Sequence, residues 1–151
     1  MKNTVSLLGV LTLFIALLLG CSWLSGPPSG MMPSSVGKFT RDALREQSTP
    51  SGKTYSAIYK SPEGIEVFVD ITVYQNTDRA KEQFEISKRT YNDQNDPAIK
   101  SSKEGNKFVT TVNRASEKFT HIDWLSNNWD CSVRSESDAA ARQFVENLSY
   151  K

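Results

Sequence analysis

The chain has little of what most enzymes use for chemistry. It holds one histidine and two cysteines in 151 residues. A metal site needs several convergent His, Cys or carboxylate ligands, and His121 with one cysteine falls short of that. Its glycines are scattered: Gly64 and Gly105 stand alone, so there is no Gly-rich phosphate loop. No serine is flanked by nucleophile-elbow glycines, and a Ser–His–Asp set built on His121 and Asp123 therefore lacks its nucleophile. His121 reads as a half-exposed strand residue. An excess of charge is missing as well, with 18 Lys and Arg against 17 Asp and Glu. With no basic run and no acidic tail, nothing indicates a nucleic-acid partner. The acidic stretch Asn92-Asp93-Gln94-Asn95-Asp96 lacks the central glycine and closing glutamate of a calcium loop and reads as a solvated turn. No cofactor is expected, and the chain is read as a non-enzyme.

What is present begins at the N-terminus. Met1-Lys2-Asn3 carries one positive side chain, and Val5 to Leu19 is an apolar run ending in Leu18-Leu19-Gly20-Cys21. Fifteen residues are short of the roughly 20 that a permanent membrane helix needs, and suit a cleaved export signal. Leu18-Leu19-Gly20-Cys21 resembles the lipobox of bacterial lipoproteins, with every element in order. The resemblance covers residues 1–21. It implies cleavage between Gly20 and Cys21, diacylglycerol on the Cys21 sulfur, and often a third acyl chain on the new amine. One acyl chain holds marginally, at about 0.8 kcal/mol per buried methylene, whereas two or three hold firmly. The resemblance also implies that Ser22, in a bacterium with two membranes, goes with passage to the outer one. The partner implied is thus a membrane, reached through lipid on Cys21. From Ser22 to Ser35, ten of fourteen residues are Ser, Gly or Pro. That composition reads as a flexible tether. The expected organisation is a signal peptide over 1–20, lipidated cysteine and tether over 21–35, and one globular domain over 36–151, which is a common domain size.

Within the domain, Ile65, Val67, Val69, Ile71 and Val73 alternate with Glu66, Asp70 and Thr72, the period of a half-buried strand. Tyr55 to Lys60 precedes it, and Ser61-Pro62-Glu63-Gly64 has the residues of a hairpin turn. Asn76 or Thr77 can cap a helix carrying Ala80, Phe84, Ser87 and Tyr91 at helical spacing, which the run Asn92–Pro97 stops. Strands are expected over about 107–113, 118–125 and 129–134, with Ser126-Asn127-Asn128 as the last turn. A final helix follows over about 138–148, with Ala140, Phe144 and Leu148 on one face.

A shift of 60 residues lays Val69–Phe84 over Trp129–Phe144 with six identities in sixteen ungapped positions: Asp70, Val73, Asp78, Ala80, Gln83 and Phe84. This suggests two copies of a strand–cap–helix unit. Convergence would also serve, since any strand entering a capped helix needs similar residues. The expected fold is α+β, an antiparallel sheet of about five strands with two helices on one face. Cys131, laid over Ile71, is expected in the core; an intermolecular disulfide is the alternative for an odd exported cysteine. Asp123 and Asp130 are expected near each other at a solvated sheet edge. Trp124 and Trp129 flank the last turn and either close the core or, if exposed, offer a contact for a partner. The function these features suggest is non-catalytic. It is a binding or structural role in the cell envelope, the alternative being a small-molecule receptor with a groove between the two units.

Overall fold

The computed structural model describes residues 32–92 and 95–149. Eight strands form one antiparallel sheet: β1 (Ser35–Val36), β2 (Phe39–Thr49), β3 (Gly52–Lys60), β4 (Glu66–Tyr74), β5 (Ile99–Glu104), β6 (Lys107–Asn113), β7 (Lys118–Ser126) and β8 (Trp129–Ser135). Helix α1 (Thr77–Asn92) follows β4, and α2 (Asp138–Asn147) follows β8. The strand order is β1-β2-β3-β4-β8-β7-β6-β5. The α+β class stands; the expected five strands were too few.

Local chemistry explains the elements. Gly64 takes φ 81° at the β3–β4 turn, where a side chain would be strained, and its amide donates to the Ser61 carbonyl at 2.9 Å. Asn76 caps α1: its side-chain oxygen accepts from the Arg79 amide at 2.8 Å. Ser137 caps α2 by accepting from the Ala140 amide at 3.2 Å. Asn127 stands at φ 58° in the two-residue β7–β8 turn, a conformation that asparagine tolerates better than most residues.

The strands the sequence reading missed are β1, β2 and β5. Nearly every residue of β2 beyond Phe39 is exposed, and β5 is exposed after Ile99. Strands that bury neither face have no apolar alternation to show. The register of β2 on β3 also slips by one residue between Arg41 and Leu44, and such a bulge breaks the period further.

The two helices lie on opposite faces of the sheet, and the single-face expectation is corrected. On β4 and β8, Val69 pairs with Val133 and Ile71 with Cys131; on β7, Ile122 and Trp124 complete that face. Here α2 packs through Ala140, Ala141, Phe144 and Val145, within one core that includes Met32, Val36, Phe39 and Tyr59. The Phe144 ring meets Tyr59 and Phe39 edge-on, with centroids at 4.7 and 5.6 Å. The other face carries Phe68, Phe119, His121 and Asp123. Over it α1 buries Ala80 and Phe84 and sets the Tyr91 ring edge-on against His121 at 5.6 Å. A sheet with bulky residues on both sides needs cover on both.

This arrangement also decides what the 60-residue likeness means. Ile71 and Cys131 are directly opposed across the β4–β8 pair, so a local two-fold axis between them carries residue n of β4 onto n + 60 of β8. That rotation keeps each face on its own side, and would place both helices together. They are not together. The likeness is one of strands and helix caps, not of a unit that superposes whole.

The domain starts earlier than expected. Met32 is buried, the Tyr59 hydroxyl donates to the Pro33 carbonyl at 2.9 Å, and Arg41 donates to the Met32 carbonyl. Residues 32–35 therefore belong to the folded body and not to the tether. Gly20 and Cys21 lie outside the described residues. Among the described residues no helix is long and apolar enough to cross a membrane.

Candidate functional site

Of the residues singled out by sequence, Trp124 is 1% exposed, so it cannot meet a partner at the surface. It sits on the α2 face in the core, with Trp129 half-buried against the same cluster. Cys131 is buried beside them, and burial pushes its thiol up to about 12. Helix α1 ends at Asn92, and beyond it Asp96 accepts from the Ala98 amide at 2.8 Å and pairs with Arg114 at 2.7 Å; Asp93 and Gln94 lie outside the described residues. Among the described residues no group of three or more His, Cys, Asp or Glu could hold a metal.

The α1 face holds the polar residues that converge. In the β7–β8 register His121 opposes Arg134, Asp123 opposes Ser132, and Leu125 opposes Asp130, which brings His121, Asp123, Asp130 and Ser132 to one side. His121 Nε2 lies 2.5 Å from Ser132 Oγ and 3.0 Å from Asp123 Oδ1, and Nδ1 is 3.3 Å from the Tyr91 hydroxyl. Serine and carboxylate share one nitrogen. A relay would need them on opposite nitrogens, with the proton moving through the ring between them. The His121 and Asp123 side chains are 16% and 9% exposed, with α1 above them. Asp130, expected at a solvated edge, is instead half-buried, and its carboxyl is pushed up to about 7 by burial first and by Asp123 second, with His121 opposing. Tyr91 is raised too, mainly by burial and then by Asp123.

α1 covers only part of this face. At the other end lies an open groove of about 380 Å³. Arg134 of β8 lines it, with its guanidinium 5.4 Å from the ring centroid of Phe68 on β4 and 5.5 Å from that of Phe119 on β7. Its rim is the tight loop 114–117 between β6 and β7, closed by reciprocal backbone bonds of Arg114 and Glu117 at 2.9 and 3.3 Å, together with Lys118 and Glu136. Sequence reading missed this set. The signal available was Phe68, a bulky aromatic in the polar phase of β4 between Glu66 and Asp70, which is out of place on a solvated face.

No family model matches the sequence, and a comparison with curated proteins found no match. Among solved structures, a GTP binding regulator from Thermotoga maritima is similar over 74% of this chain and 75% of its own, at 14% identity and a TM-score of 0.47.

Proposed function

We propose that the protein is a lipid-anchored envelope protein whose domain binds a small molecule in the Phe68–Phe119–Arg134 groove and does no chemistry of its own. The observation that carries this is the groove itself. Its volume of about 380 Å³ falls at the lower end of small-molecule sites, which are typically about 300–1,000 Å³. Two features favour it over the other readings. The exposed large hydrophobics among the described residues are Leu44 and Ile86, which lie far apart in the chain on β2 and α1 and form no patch of the kind a protein partner would use. The polar cluster around His121 has its serine and carboxylate on one nitrogen and is roofed by α1, which supports a structural part for it.

The anchor reading rests on Leu18-Leu19-Gly20-Cys21, with cleavage before Cys21 and diacylglycerol, and commonly palmitate, on the product. This puts the domain on the outward or periplasmic side of a bacterial envelope, and on the outer membrane where there is one. The folded body begins by Met32, so eleven residue steps separate it from the lipid. They span at most about 40 Å, and the domain stays within that reach of the membrane. Labelled palmitate tests the anchor: wild-type protein takes it up, and Cys21→Ser loses both the label and the cleavage. Unchanged labelling of Cys21→Ser would refute it.

A further inference from the structure

Resting on the groove reading above, we infer that its ligand is a small monocarboxylate, with the carboxylate held by the Arg134 fork and an apolar or aromatic body lying along the groove. Four observations converge on this chemistry. Among the described residues Arg134 has no carboxylate or hydrogen-bond partner; its contacts are the two ring faces. The guanidinium carbon lies 5.4 and 5.5 Å from the Phe68 and Phe119 ring centroids, and its exposed donors are left to meet a carboxylate's two oxygens.

The charge around the groove sets the valence. Arg114, Lys118 and Arg134 line it against Glu117 and Glu136, an excess of one positive charge. Arg114 is already engaged with Asp96 at 2.7 Å and Glu117 at 3.8 Å. One uncommitted fork can neutralise one negative charge, and the two carboxylates beside it weaken the hold on a second, so a monoanion is matched better than a dianion such as a phosphate monoester. The apolar part of the ligand is provided for by Phe68, Phe119 and Ala115 in the same lining. The size of the groove limits that part to about one ring and a short chain.

The experiment is calorimetric titration of the full chain in non-ionic detergent micelles, with a micelle blank, using sodium 4-phenylbutyrate and the neutral 4-phenylbutyramide. The carboxylate should bind at least tenfold more tightly than the amide. Arg134→Gln should erase that ratio, and Arg134→Lys should restore only part of it, because an ammonium keeps the charge and loses the fork. Arg134 is exposed, and an unchanged thermal midpoint for each variant shows that loss of binding is not loss of fold. Equal binding of both probes, unaffected by Arg134→Gln, would overturn the carboxylate inference while leaving the groove as a binding site. No binding of either probe would overturn the inference together with the groove reading.

Discussion

Asp130→Asn should make the protein more stable at neutral pH and leave it unchanged in acid. Asp130 faces Asp123 and His121 from β7, and Tyr74 of β4 feels its charge. Its carboxyl is pushed up from 3.8 to about 7 in the folded chain. Below about pH 4 the acid is protonated whether the chain is folded or not, so it costs nothing. Between pH 4 and 7 the unfolded chain ionises freely while the folded one holds its proton, and stability falls as pH rises. Above about 7 the loss is complete. Each tenfold change in proton affinity is worth about 1.4 kcal/mol, which puts the ceiling at about 4 kcal/mol. Asp130 is only half-buried, and screening brings the expectation to about 2–4 kcal/mol. Asparagine copies the neutral acid and removes the slope. Urea unfolding followed by tryptophan fluorescence at pH 4, 5.5, 7 and 8 reads it directly. The variant's advantage should grow with pH and level off above 7. An advantage independent of pH, or a variant less stable at pH 8, would refute the account of this cluster.

Two further outcomes are expected. Cys131 should resist a water-soluble thiol reagent in the native protein and react at once in denaturant, since it is 1% exposed; rapid native labelling, or a dimer reducible on gels, would oppose this. Met32→Ala should cost about 2–4 kcal/mol in urea unfolding, as for other buried large-to-small changes, and a chain begun at residue 36 should be less stable than one begun at 32. Equal stability of the two would mean that the burial of Met32 and the Tyr59–Pro33 hydrogen bond contribute nothing.

Sequence showed the strands that bury one face and the helices that bury a stripe. β4 was visible through Val67, Val69 and Ile71, and α2 through Ala140 and Phe144. Strand β2 was not, because Asp42 to Thr49 is exposed and shows no apolar alternation, its place being set by hydrogen bonding along β3 and by ion pairs such as Glu46 with Lys53. The side on which a helix lands was also beyond reach. Ala80–Phe84 and Ala140–Phe144 have the same spacing, and nothing local says which face each will cover. That Asp123 and Asp130 lie near each other could be read, although the register sets Asp123 opposite Ser132 and Asp130 opposite Leu125; their shelter beneath α1 depended on that unread choice. Arg134 escaped notice for the same reason. A charged residue on a strand looks solvated until the aromatic rings of two neighbouring strands are known to flank it.

The β4–β8 pairing has a consequence for how the chain folds. Every other adjacency in the sheet joins consecutive strands by hairpins, so each half zips up by closing short loops, a fast kind of event. The one seam between halves opposes residues sixty apart, Ile71 and Cys131, and is fastened at one end by the Ser135 hydroxyl donating to the Glu66 carbonyl at 2.7 Å. Closing it must wait for β8, the last strand in the chain, and this long-range step is expected to be the slowest in assembling the sheet. Until then the apolar edge of β4, with Val69 and Ile71 on it, is an open template for another copy's strand. A chain interrupted before residue 129 would carry that edge permanently.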